Sequence, residues 1–129
     1  MLITVSICKD VEYPHEAELY AAYLKKWKSG GILPSRFGSE GAWEENKSLC
    51  NSYVFKIHIK LSDDTPWDAK TPQAARKSNN YLVYTRHWMD PNKYQIISIM
   101  APNAHELART SFLAELERRA EQFQNSTPE

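Results

Sequence analysis

No run of apolar residues in this 129-residue chain approaches the roughly 18 that a membrane-spanning helix needs. The first ten residues, MLITVSICKD, lack the basic start and long apolar stretch of a signal peptide. The two cysteines, Cys8 and Cys50, form no metal-type or redox-type pair. A cytoplasmic protein with reduced thiols is therefore expected. Excess charge of either sign is missing as well, since 16 Lys and Arg balance 16 Asp and Glu. That balance argues against strong nonspecific attraction to nucleic acid. No glycine-rich phosphate loop, nucleophile elbow or zinc motif is present. Asp63, Asp64 and Asp68 share one loop without other acids at ligand spacing, so no metal site is expected.

What is there is an ordinary globular composition, 42% hydrophobic and 25% charged. It fits a single domain over 1–124 followed by a polar C-terminal tail, 125–129. The charge is uneven. Residues 52–93 carry seven basic and four acidic side chains, whereas 1–51 carry six and seven and 94–129 carry three and five. An anionic partner would meet the middle of the chain first.

Periodicity supplies the elements. LITVSIC alternates and reads as a half-buried strand. In HEAELYAAYLKKWKSGG, Ala17, Tyr20, Leu24 and Trp27 recur at helical spacing, acids lead, lysines trail and Gly30-Gly31 stops the helix. ILPSRFGSEGAWEENKSLCNS reads as a loop with one short helical turn near Trp43. SYVFKIHIKL is the clearest strand, and YLVYTRHW and YQIISIMA pair as a hairpin across MDPNK. The proline-bearing segment 62–80 is a loop. APNAHELARTSFLAELERRAEQF reads as one helix, with Asn103 and Glu106 spaced as a capping box. This order predicts an α+β domain: a small, mostly antiparallel sheet packed by helices on one side.

Two clusters could carry chemistry. Alternation puts Lys56, His58 and Lys60 on one face of one strand, away from Phe55, Ile57 and Ile59. The flanking ammonium groups disfavour the His58 imidazolium, and a neutral imidazole beside cations can bind phosphate and move a proton. A solvated outer face has the same pattern. His105 and Arg109, four apart, project from the first turns of the terminal helix, where an apolar stripe should otherwise begin. A helix N-terminus with a guanidinium attracts anions; a structural histidine and a carboxylate-paired arginine have the same spacing. Arg76, Lys77 and Arg86 add donors, and Tyr84, Arg86 and Trp88 share a strand parity that could stack bases and hold phosphates.

Taken together, four stretches resemble the YafO family of type II toxin–antitoxin toxins. They are YLKKWKSGGILPSRFG, KIHIKL, ARKSNNYLVY and IISIMAPNAHELAR, in the family's order, over roughly residues 20 to 123. Lys77 stands where the family often has threonine, and Asn79 where it often has aspartate. The resemblance implies a RelE-like fold. It also implies a ribosome-dependent mRNA endonuclease, neutralised by an antitoxin, that works at the ribosomal A site on mRNA without metal or other cofactor. The implied reaction is attack of a ribose 2′-hydroxyl on the adjacent phosphate. Its site set is His58, His105, Arg109 and Tyr84 for the chemistry, with Lys56, Lys60, Arg76, Lys77 and Arg86 for substrate. Two other functions fit the same scaffold. One is a non-catalytic, ParE-like inhibitor that binds a protein target such as a topoisomerase, and the other is a degenerate toxin kept as a binding module. No membrane partner is expected, and the oligomeric state is open.

Overall fold

The computed structural model describes residues 2–126, so residues 127–129 of the polar tail lie outside the described residues. Five strands form one sheet in the order β1-β5-β4-β3-β2, with β1 at Thr4–Ile7, β2 at Phe37–Ala42, β3 at Val54–Ile59, β4 at Tyr81–Arg86 and β5 at Lys93–Met100. All neighbours are antiparallel except β1, which runs parallel to β5 at one edge. The helices are α1 at Pro14–Lys28, α2 at Lys47–Asn51, α3 at Ala104–Leu107 and α4 at Phe112–Gln124. The mostly antiparallel α+β architecture is the expected one.

The helices, expected on one side, are divided between the two faces. The reason lies in the central strands: the first five residues of β4 are all buried. Leu82 and Tyr84 point to a cluster with Ala17, Tyr20 and Leu24 of α1. Tyr81 and Val83 point to a second cluster with Leu49 of α2, Ala104 of α3, and Leu116 and Ala120 of α4. A strand apolar on both faces needs cover on both. The loop expected at 32–52 holds an edge strand, β2, whose FGSEGA sequence shows no alternation. Gly38 is there for space: a Cβ would sit 2.5 Å from the Arg76 carbonyl oxygen.

The terminal segment is two helices, not one. Asn103 has φ 63°, in the left-handed region, and its side chain caps nothing, so the capping box does not form. After α3, the Thr110 hydroxyl donates to the Leu107 carbonyl at 2.7 Å, and the Phe112 amide donates back to Thr110 Oγ1 at 3.2 Å. Those local bonds offer the backbone an alternative to helix, as threonine hydroxyls do. The apolar stripe of α4 therefore begins afresh. Arg119, 5% exposed, anchors it through Glu115, Glu12 and the Ile97 carbonyl.

Candidate functional site

The face of β3 that carries Lys56 and His58 is covered at one end and open at the other. Val54, of the same parity, packs into the second cluster under α2 and α4. Beyond it the sheet opens into a cleft of about 1220 Å3. That is above the ~300–1,000 Å3 typical of a small-molecule pocket. Its floor is Lys56, His58 and Tyr81; its walls come from β2 with residues 43–46, from Lys77 to Asn79, and from His105 to Arg109.

Three aromatic rings form the centre. His58 and Tyr81 are register partners across β3 and β4, with ring centroids 5.0 Å apart and edge-on. Tyr81 and His105 centroids are 5.2 Å apart, and the two imidazoles are 6.2 Å apart. The Tyr81 hydroxyl lies 2.9 Å from His105 Nδ1. His58 Nδ1 is 2.8 Å from both the backbone nitrogen and the carbonyl oxygen of Ser78. That ring is thereby fixed through Nδ1, which leaves Nε2 for a ligand. Lys56 Nζ stands 4.4 Å from the Trp43 ring centroid and 5.5 Å from that of Tyr81.

The electrostatics follow from the packing. Burial holds the pKa of His58 below its ordinary value; the bond to Ser78 opposes this, while Lys77, His105 and Lys56 reinforce it. The ring is therefore neutral at pH 7 and able to accept a proton. The neutrality expected from two flanking lysines has a different main cause, burial, and Lys60 takes no part. Burial also raises the pKa of Tyr81, which keeps its phenol protonated.

Of the residues singled out by sequence, the cleft gathers Lys56, His58, Lys77, His105 and Arg109. His105 and Arg109 are exposed, not the start of a buried stripe, because Ala104 takes the inward position in α3. The Ala104 amide donates to the Asn79 carbonyl at 2.7 Å, which ties α3 to the loop behind His58. Asparagine in place of aspartate leaves that backbone bond untouched.

Four expected residues stand elsewhere. Tyr84 lies on the opposite face of β4, buried with α1, where its hydroxyl donates to Glu40. Arg76 is 4% exposed and is spent on the carbonyls of Thr71, Pro34 and Phe37. Lys60 leaves the strand and stacks on Trp67 at 5.0 Å. Arg86 sits over Tyr53 at the far end of β4, and Trp88, 61% exposed, lies beyond that strand. The residues that sequence reasoning missed are Tyr81, Trp43 and Ser78. Tyr81 was reachable by pairing the first residue of YLVYTRHW with the last histidine-bearing stretch of FKIHIKL. The acids expected not to bind metal serve the loop: Asp64 and Asp68 accept the amides of Leu61 and Lys70. Among the described residues no three His, Cys, Asp or Glu gather as a metal group, and no helix is long and apolar enough to cross a membrane.

The fold and cleft define a small α+β protein with a polar cleft lined by two histidines, two lysines and an arginine. The comparisons narrow this. Residues 25–125 match the family described as Toxin YafO, type II toxin-antitoxin system, and the chain belongs to that family. It is similar to the mRNA interferase toxin YafO of Escherichia coli (strain K12), at 26% identity over 98 residues, covering 73% of this chain and 74% of the relative. No solved structure matches it. Membership of a type II system makes an antitoxin its counterpart.

Proposed function

We propose that this toxin is an mRNA interferase, an endoribonuclease that cuts messages on the ribosome. One observation carries the reading: His58 and His105 face one cleft with ring centroids 6.2 Å apart. Two imidazoles so placed can flank one phosphate, which in-line attack by a 2′-hydroxyl requires. One ring takes the 2′ proton, the 2′ oxygen bonds to phosphorus, the bond to the 5′ oxygen breaks, and the other ring protonates that oxygen. The products are a 2′,3′-cyclic phosphate and a 5′-hydroxyl. Each proton transfer contributes ~10²–10⁴-fold. Lys56, Lys77 and Arg109 supply the positive charge that the pentacovalent intermediate needs. No step in this scheme calls on a metal.

The cations are few and local, on a chain of zero net charge. Such a protein holds free RNA weakly at physiological salt, so the ribosome must do most of the positioning. A ParE-like inhibitor would need neither histidine. Primer extension on a translated message, with and without ribosomes, tests the reading against His58→Ala and His105→Ala. Cleavage is expected only with ribosomes and only for the wild type. Equal cutting of ribosome-free RNA would refute the ribosome dependence, and growth arrest with intact messages would refute the nuclease.

A further inference from the structure

We propose that Tyr81 is the positioning residue of this reaction: it holds His105 as the donor to the leaving 5′ oxygen and so leaves His58 to take the 2′ proton. The proposal rests on the nuclease reading and settles a choice that reading leaves open, namely which ring plays which part.

The two imidazoles are held differently. His58 is half-buried in the sheet and fixed by backbone, with its Nδ1 at 2.8 Å from the Ser78 carbonyl oxygen. The Ser78 amide nitrogen lies 2.8 Å from the same Nδ1, so Ser78 can meet either tautomer; in the one whose Nδ1–H donates to the carbonyl, Nε2 presents a lone pair, and the same bond survives when Nε2 gains a proton. Half-burial makes a lasting charge on this ring unfavourable. These are the properties of a base that must begin neutral and hold a proton only briefly. His105 is exposed, on the four-residue helix α3. Its one hydrogen-bonded side-chain partner among the described residues is the Tyr81 hydroxyl, 2.9 Å from Nδ1 and 3.4 Å from Nε2; the shorter contact, to Nδ1, is the positioning bond. That oxygen accepts from Nδ1–H while the ring is charged, and the bond persists after Nε2–H has gone to the leaving oxygen. A ring on so short a helix would otherwise turn freely about its side-chain bonds, so the phenol determines where the acidic proton points.

Tyr81 itself is fixed independently of His105. It is 4% exposed, lies across from His58 in the sheet register and packs edge-on to Trp43 at 6.5 Å. Removing only its oxygen therefore leaves the floor of the cleft in place. Tyr81→Phe separates positioning from packing in a way that Tyr81→Ala would not.

The test uses ribosome complexes saturated with toxin, programmed with ordinary RNA or with RNA whose bridging 5′ oxygen is replaced by sulfur. A thiolate leaves without protonation, so a defect confined to the acid disappears on the sulfur substrate. Tyr81→Phe and His105→Gln should each slow single-turnover cleavage of ordinary RNA at least ~10-fold, and both should cut the sulfur substrate at the wild-type rate. His58→Gln should be slow on both. Rescue of His58→Gln in place of the other two would reverse the assignment and overturn the proposal, as would equal slowing of both substrates by Tyr81→Phe. Nitrogen-15 spectra of the histidine rings give a readout that needs no cleavage. His105 should show one dominant tautomer in the wild type and a mixture in Tyr81→Phe. An unchanged pattern removes Tyr81 from its role even if the protein proves an active nuclease. If wild-type toxin cuts nothing, the nuclease reading falls and the proposal with it, whatever the spectra show.

Discussion

Replacing Arg76 with methionine should loosen the whole domain, not merely weaken its grip on RNA. The guanidinium is 4% exposed. It donates through Nε to the Thr71 carbonyl at 3.0 Å and through Nη1 to the Phe37 and Pro34 carbonyls at 3.0 and 3.3 Å. These bonds lash the loop before β4 to the start of β2. Methionine keeps most of the volume and abandons all three acceptors. A buried acceptor left unsatisfied costs ~1–3 kcal/mol. Phe37 is fully buried, while Pro34 and Thr71 are partly exposed and regain some water, so the total is about 2–4 kcal/mol. For a domain of this size that corresponds to a fall of roughly 10 °C in melting temperature. Circular dichroism melts provide the measurement, with cleavage assayed well below both midpoints. A midpoint within ~2 °C of wild type, together with lost cleavage, would show that Arg76 contacts substrate and that the clamp is unimportant.

Arg109→Ala should do the reverse: the side chain is exposed and has no hydrogen bond or ion pair among the described residues, so the melt should not move, while cleavage should fall ~10-fold or more. Tyr84→Phe should leave the cleavage rate of properly folded enzyme unchanged, because the hydroxyl meets Glu40 on the other face of the sheet; a rate loss beyond ~3-fold would put Tyr84 back in the mechanism. For pH, His58 has a folded-state pKa below its ordinary 6.5, so the unfolded chain takes up this proton first as pH falls. Stability linked to the ring is complete above that ordinary value and declines below it until the folded pKa is reached. Wild-type melting temperature should therefore drop more between pH 7 and 5 than that of His58→Gln, and cleavage should lose its acid limb in that variant.

How far the sequence discloses this structure depends on how many faces of each element are buried. α1 was legible because only one stripe is buried, Ala17, Tyr20 and Leu24, and because Gly30, at φ 100°, ends the helix where glycine should. β3 was legible from strict alternation of Ile57 and Ile59 with Lys56 and His58. β4 was not, since Tyr81 to Thr85 are buried on both faces, and nothing in YLVYTR says which tyrosine faces which cluster. Tyr81 is the one that lines the cleft, and Tyr84 packs on the opposite face. Arg76 misled for a related reason: a guanidinium bound to carbonyls and one awaiting phosphate are the same letter. The break between α3 and α4 rests on one threonine hydroxyl in an otherwise continuous helical pattern. The strand β2 owes its existence to its neighbour β3 more than to its own glycines.

The parallel pairing of β1 with β5 joins segments 89 positions apart in the chain, as Ser6 and Gln95 are. On a growing polypeptide the neighbours β2, β3 and β4 can meet early, because each is antiparallel to the next. The open edge of β4 must wait for β5, and β1 must wait with it. Non-local pairings of this kind delay folding until their loops can close. His105 and Arg109 come later still in the chain than β5. A nascent chain that has exposed His58 thus has neither the opposite ring nor the sheet edge that supports it. The cleft is thus complete only once α3 has been made and tied to the loop before β4, late in the synthesis of the chain.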